Sequence, residues 1–130
     1  MPACIFRILS HAGKWFYIVA EYSQKYISKL LIVDADLYTG QYMHNLFARD
    51  GYDVVTEEVG GRTLERALEI HPDLIILDTD LPDKSGFHIC NDIRRHKDLH
   101  EIPVILMSAL QDRQTRIKGI EAGADDFIVK

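Results

Sequence analysis

The sequence is poor in cysteine and has no apolar run long enough to cross a membrane. Its two cysteines, Cys4 and Cys90, show no spacing typical of metal ligands or of a disulfide framework, as expected in a reducing compartment. No apolar run approaches the ~20 residues that a membrane-spanning helix needs. Arg7, His11 and Lys14 interrupt the amino-terminal stretch, which disfavours a signal peptide. We therefore expect a cytoplasmic protein.

Positive charge is also in short supply. The chain has 20 acidic and 15 basic residues, and its net charge of −5 argues against nucleic-acid binding through bulk charge. Its 130 residues, 47% of them hydrophobic, suffice for one domain with a core and are too few for two. We expect one globular domain that binds neither nucleic acid nor membranes directly.

From Lys29 onward, short apolar runs alternate with stretches of helical periodicity. Several runs are continuously apolar, which is typical of strands buried on both faces. The five predicted strands lie at 29–33, 52–59, 73–78, 103–109 and 125–130, with a predicted helix in each interval. This order requires right-handed crossovers and a parallel sheet with helices on both faces. The predicted fold class is α/β, a doubly wound five-stranded parallel sheet.

Residues 1–28 stand outside this alternation. Trp15, Val19, Tyr22 and Tyr26 recur at helical spacing, which is typical of an amphipathic helix. We therefore expect an N-terminal extension over 1–28 with an extra helix, followed by the α/β domain over 29–130.

Polar side chains stand where the predicted strands end: Asp34, Asp78, Ser108 and Lys130. In an open parallel sheet, ligands bind outside the carboxyl ends of the strands. Two carboxylates in one crevice repel each other unless one is protonated or a cation lies between them, and oxygen ligands suit Mg²⁺ better than Zn²⁺. A lysine, a hydroxyl and a carboxylate nucleophile would complete a site for an incoming phosphoryl group.

Acids that follow strands are also common as turn and helix-capping residues. That alternative is at least as good for Asp36, Asp80 and Asp83 taken singly. It is much weaker for Asp34, Asp78 and Lys130 taken together, because three separate strands deliver them to one edge.

The chain resembles the response-regulator receiver domains of two-component signalling over residues 29–130. The resemblance rests on LIVDAD, PDLIILDTDLPDKSG, IPVILMSAL and GIEAGADDFIVK in this order. Within the family, the stretch from Gly86 to Lys130 is most similar to receivers attached to diguanylate cyclases. The resemblance implies a flavodoxin-like sheet with strand order 2-1-3-4-5.

The resemblance also implies an acceptor and a metal site. Asp78 matches the aspartate that accepts a phosphoryl group, and Asp34 matches the first of an acidic pair that helps hold Mg²⁺. Asp80 matches the residue whose backbone carbonyl ligates the metal. The implied function is Mg²⁺-dependent phosphorylation of Asp78 by a histidine kinase or phosphotransfer protein, in a signalling switch rather than a turnover enzyme.

Three further residues match the family's switch machinery. Ser108 matches the hydroxyl that hydrogen-bonds the phosphoryl group, with Ala109 beside it leaving room for that group. Phe127 matches the aromatic that turns inward on activation, and Lys130 matches the lysine that pairs with a phosphoryl oxygen. The output and a homodimer are left open by the resemblance.

Two features depart from the family pattern. Ala35 stands where the family usually has a second acid, so we expect weak Mg²⁺ binding, and a phosphorylation-independent binding module is a second hypothesis. The sequence ends at Lys130, so we expect the fifth helix to be missing and apolar sheet surface on the order of a few hundred Å² to be exposed. The Trp15–Tyr26 segment is expected to cover part of that surface.

An alternative from another class is a haloacid-dehalogenase-type phosphatase. Asp78-Thr79-Asp80 fits its D-x-D nucleophile motif. That motif normally lies on the first strand of the domain, whereas here it follows the third, so we consider this alternative remote.

Overall fold

The computed structural model describes residues 3–9, 15–21 and 28–130, and for the first two ranges it describes the backbone. Strands β1 (Ala3–Leu9) and β2 (Trp15–Glu21) pair antiparallel as a hairpin. The helix expected over Trp15–Tyr26 is therefore wrong where the chain forms β2, whose aromatic and β-branched residues favour an extended backbone. The remainder of that segment lies outside the described residues.

The second sheet contains five parallel strands. Its elements are β3 (Lys29–Val33), α1 (Leu37–Arg49), β4 (Asp53–Glu57), α2 (Thr63–Ile70), β5 (Leu74–Asp78), α3 (Gly86–Arg95), β6 (Val104–Ser108), α4 (Arg113–Glu121) and β7 (Asp126–Val129), with a 3₁₀ turn at Gly60–Arg62. The strands lie in the order β4-β3-β5-β6-β7, and every pair is parallel. Counted from Lys29, this is the order 2-1-3-4-5, so the predicted fold class is confirmed.

The core lies on both faces of this sheet because successive strand residues point to opposite sides. Leu31, Ile75 and Leu106 pack on one side with residues of α2 and α3. Leu30, Ile76 and Ile105 pack on the other side with Met43 and Phe47 of α1. Both faces of the central strands are buried, which explains why their sequences are apolar without alternation.

The apolar sheet face on the side of α1 is covered along its whole width. Ile105 is 0% exposed, Met107 2% and Ile128 6%, although β6 and β7 lie far from α1 in the strand order. The expected exposed sheet surface is therefore wrong, because other atoms of the same chain exclude solvent from these side chains.

Within the described residues, no helix combines the length and apolar character that crossing a bilayer requires. The helices instead pack on the sheet, and three of them begin at its carboxyl edge with capping residues. Asp36 caps α1, Ser85 caps α3 and Asp112 caps α4, each accepting a hydrogen bond from a backbone amide in the first turn. The loops that precede these helices form the rim of the candidate site.

Candidate functional site

Asp34, Asp78 and Lys130 meet at the carboxyl edge of the sheet. Lys130 Nζ lies 2.8 Å from Asp34 Oδ2 and 2.9 Å from Asp78 Oδ2. The side chains of the acids are 1% and 6% exposed, and that of the lysine is 24% exposed. Three residues predicted from separate strands thus form one partly solvated cluster of charges.

Backbone geometry fixes the orientation of both carboxylates. The pairing of Val33 with Leu77 places Asp34, the residue after β3, beside the end of β5. Asp34 Oδ1 accepts a hydrogen bond from the amide of Asp36 at 2.9 Å, and Asp78 Oδ1 accepts one from the amide of Asp80 at 3.1 Å. Because each Oδ1 is held by the amide two residues ahead, each Oδ2 faces Lys130.

The electrostatics of the cluster favour a further cation. Burial raises the pKa of Asp34, and the Asp78 carboxylate adds to this, against the contact with Lys130 and the Asp36 amide, which lower it. Burial alone would lower the pKa of Lys130, but its contacts with Asp34 and Asp78 outweigh burial and raise it. One ammonium therefore faces two carboxylates, and the cluster keeps an excess of negative charge.

Ser108 reaches the same edge on the neighbouring strand. It is fully buried, its hydroxyl oxygen accepts a hydrogen bond from the Leu110 amide at 3.0 Å, and its carbonyl accepts one from the Lys130 amide at 2.7 Å. The last bond ties the backbone of Lys130 to the end of β6. The backbone of the residue with the predicted hydroxyl thus lies beside the backbone of the lysine.

Phe127 lies on the helix-covered side of β7 rather than in the charge cluster. Its half-buried ring packs against α4 at Gly119, where an added Cβ would lie 3.1 Å from the ring Cδ2. Movement of this ring therefore depends on the space that Gly119 leaves at the helix surface.

Asp36 does not replace the acid that is missing at Ala35. Its carboxylate accepts hydrogen bonds from the Tyr38 amide at 3.0 Å and the Thr39 hydroxyl at 2.8 Å, as the N-cap of α1. The Thr39 hydroxyl, with the Tyr38 amide, lowers the pKa of Asp36. In the structure, Asp36 is therefore the helix cap of α1.

The contacts of two acids near the site were not predicted from the sequence. Asp83 accepts hydrogen bonds from the amides of Gly60 and Gly61 at 3.0 and 2.7 Å, which joins the loop after β5 to the 3₁₀ turn before α2. Glu57, buried at the end of β4, lies 3.8 Å from Arg62 Nε and 3.6 Å from Arg66 Nε. Its position directly at a strand end was the available signal.

The donor set fits a hard divalent cation held by two carboxylates. Asp34 and Asp78 supply oxygen atoms at one edge, and the loop through Asp80 is bound to Asp78 by its amide. Among the residues that the structure describes, no group of three or more His, Cys, Asp or Glu side chains is arranged for metal binding. Because Ala35 stands where the family pattern has a second acid, the chain offers one side-chain ligand fewer than that pattern implies.

A doubly wound parallel sheet with the order β4-β3-β5-β6-β7 places the domain in the class of flavodoxin-like folds. The family model described as "Response regulator receiver domain" matches residues 30–130, and the chain belongs to this family. Recognition of the receiver domain from the sequence is therefore confirmed.

Curated relatives include transcriptional regulators. The "Probable transcriptional regulator ycf27" of Cyanophora paradoxa is 36% identical over 102 residues, which are 78% of this chain and 41% of that protein. The "Alkaline phosphatase synthesis transcriptional regulatory protein PhoP" of Bacillus subtilis is 33% identical over 102 residues, 78% of this chain and 42% of that protein. The chain spans about two fifths of the length of these relatives. The likeness to receivers of diguanylate cyclases stays a prediction.

Solved structures give the same fold. The chemotaxis protein CheY4 of Vibrio cholerae superposes with a TM-score of 0.77 at 25% identity, covering 81% of this chain and 88% of that one. The BeF3-activated N-terminal receiver domain of Klebsiella pneumoniae RstA gives a TM-score of 0.74 at 32% identity, covering 79% and 86% of the two chains. Both cover most of the α/β domain.

Proposed function

We propose that this receiver domain accepts a phosphoryl group on Asp78 and signals its presence to an output partner. The observation that carries the proposal is the position of Lys130 Nζ, within 2.9 Å of Oδ2 atoms of both Asp34 and Asp78. An ammonium that already faces the acceptor carboxylate is placed to pair with the oxygens of a phosphoryl group attached there.

The proposed transfer begins from a phosphohistidine on a histidine kinase or phosphotransfer protein. A carboxylate oxygen of Asp78 attacks the phosphorus, the phosphorus–nitrogen bond breaks as the phosphorus–oxygen bond forms, and the donor nitrogen keeps the electron pair. The amide of Asp80 holds Asp78 Oδ1 in place during this step, and Lys130 follows the negative charge onto the phosphoryl oxygens.

Asp34, Asp78 and the backbone carbonyl of Asp80 are the groups proposed to hold Mg²⁺. The ion would supply charge neutralisation for the transferred group. The raised pKa of Asp34, caused first by burial, supports a need for positive charge at this position. Ala35 makes the ligand set poorer than in the family pattern, so we expect the ion to bind weakly.

Ser108 and Phe127 are proposed as the switch. The Ser108 hydroxyl would donate a hydrogen bond to a phosphoryl oxygen, for which the small side chain of Ala109 leaves space. Phe127 would move relative to α4. The packing of its ring on Gly119 supports a role in which this helix surface changes with phosphorylation. The output partner, transcriptional or otherwise, would bind at this surface of α4. Phosphorylation of Asp78 would take place in the cytoplasm.

A binding module that never becomes phosphorylated is the second candidate, favoured by the use of Asp36 as a helix cap rather than as a metal ligand. The haloacid-dehalogenase alternative is not supported, because the chain belongs to the receiver family and Asp78 ends the third strand from Lys29.

Incubation of the full chain with acetyl phosphate and Mg²⁺ tests the proposal. We expect a mass increase of one phosphoryl group that maps to Asp78 and is absent from Asp78→Asn. Asp80→Asn is the matched control, because the change also removes one carboxylate but keeps the backbone carbonyl. A chain that binds Mg²⁺ and yet gains no mass would favour the binding module.

A further inference from the structure

Three apolar side chains on the far side of the sheet are buried without a helix to cover them. Ile105, Met107 and Ile128 lie in the cluster that contains Met43 and Phe47 of α1. That helix packs on β3 and β4, at one side of the sheet. Strand β7 is three strand spacings from β3, about 14 Å, and a helix is about 10 Å wide, so α1 does not reach Ile128.

The cover comes from this chain, because these residues are buried within a single copy of it. The helices α2 and α3 pack on the opposite face of the sheet, and α4 meets Leu106 and Phe127 there. Within ranges 3–9, 15–21 and 28–130, the element that remains is the hairpin of β1 and β2.

The strand register gives this hairpin one fully apolar face. Residues directly opposite each other in an antiparallel pair share a face, and the face changes at every residue. One face carries the positions Cys4, Phe6, Ile8, Phe16, Ile18 and Ala20. The other face is mixed: it carries the charged positions Arg7 and Glu21 among the positions Ala3, Ile5, Leu9, Trp15, Tyr17 and Val19. Because burying an unpaired charge is costly, the face without charged positions is the one favoured for burial.

We propose that the hairpin of β1 and β2 docks with its Cys4, Phe6 and Ile8 face on β6 and β7. It closes the core on the side that α1 leaves open, and it occupies an apolar surface that would otherwise be available to a partner protein. The surface is therefore covered by a segment of the same chain, which precedes β3.

The accessibility of a thiol placed on β7 tests this docking. In the full chain with Ile128→Cys, maleimide labelling under native conditions is followed by peptide mass spectrometry, with the buried Cys90 as an internal reference. Burial raises the pKa of the Cys90 thiol to about 11, so this thiol reacts appreciably only when the core opens. We expect slow labelling of the introduced thiol in the otherwise unchanged chain.

Two substitutions on β1 separate the faces of the hairpin. Ile8→Lys places a charge on the apolar face and should speed labelling of the introduced thiol by about tenfold or more, with Cys90 still protected. Ile5→Lys is the matched control, the same change on the same strand but on the opposite face, and should alter the rate less than about twofold. If Ile8→Lys also exposes Cys90, the pair Ile8→Ala and Ile5→Ala repeats the comparison with a smaller perturbation.

Three results would overturn the proposal. One is fast labelling before any change in the hairpin. Another is equal rates in the Ile8 and Ile5 variants. The third is protection that falls on dilution, which would assign the cover to the hairpin of a second copy.

Discussion

At the scale of single residues, the site is set by which side chains stand directly after a strand. Asp34 and Asp78 could be predicted from sequence because their neighbours along the chain decide their place, each following a run of buried apolar residues. Asp83 could not, because the amides it binds lie 23 and 22 residues earlier in the chain. Glu57 likewise depends on two arginines of the following turn and helix.

The first prediction concerns Ala35. This residue lies next to Asp34, and the acid that follows it, Asp36, is the helix cap of α1. Ala35→Asp should tighten Mg²⁺ binding by about an order of magnitude, since the affinity of oxygen-ligand sites grows with the number of charged ligands. Isothermal titration calorimetry on the full chain measures this. Ala35→Asn supplies an oxygen without a charge and should give a smaller gain. Equal Mg²⁺ affinity in the unchanged chain and both variants would remove Ala35 as the cause of weak binding.

At the scale of elements, the parallel sheet followed from periodicity, whereas the hairpin did not. Buried strands and amphipathic helices have distinct periods over 29–130, and each period is visible within one element. The segment that begins at Trp15 also has aromatic residues at helical spacing, and only its pairing with β1 makes it a strand. Because β1 is a separate segment, the spacing of residues within 15–26 does not reveal this pairing.

The start of α3 gives a prediction about packing. Gly86 lies against the end of β5, where an added Cβ would be 2.1 Å from the Asp78 carbonyl oxygen and 2.8 Å from the Thr79 Cα. Gly86→Ala must move backbone at the acceptor residue, so it should lower the free energy of unfolding by about 3 kcal/mol or more. It should also reduce phosphorylation of Asp78.

Gly40 provides the matched control in α1. Among the described residues, no atom beyond the nearby backbone of α1 lies within 4 Å of a Cβ added there, and the backbone is helical. Gly40→Ala should therefore raise the free energy of unfolding by about 0.5–1 kcal/mol, through helix propensity alone. Urea denaturation of both variants measures the two effects. A Gly86→Ala variant as stable as the unchanged chain would show that the loop after β5 relaxes freely.

At the scale of the whole molecule, capping carboxylates set the response to acid. Hydrogen bonds from the Thr39 hydroxyl, the Gly61 amide and the Thr115 amide lower the pKa values of Asp36, Asp83 and Asp112 respectively. A carboxyl group with a lowered pKa in the fold stabilises it above its unfolded pKa, about 4, and loses that contribution as the pH falls through the folded value. Asp34 acts in the opposite sense, because burial raises its pKa.

Thermal unfolding between pH 7 and pH 2 tests this balance. Asp83→Asn should lower the melting temperature at pH 7, and the difference from the unchanged chain should shrink as the pH falls through the lowered folded pKa of this carboxyl group. Asp34→Asn should show the reverse sign, with a higher melting temperature at pH 7 than the unchanged chain and a difference that vanishes in acid. Parallel curves for the unchanged chain and Asp83→Asn would show that this carboxylate does not contribute to acid unfolding.

Lys130 also has a mechanical consequence. Its backbone amide donates a hydrogen bond to the Ser108 carbonyl, and its side chain reaches Asp78 at the end of β5 and Asp34 directly after β3. A pull on the chain at this residue would therefore be transmitted to both acids through a single side chain, without the involvement of a loop or helix.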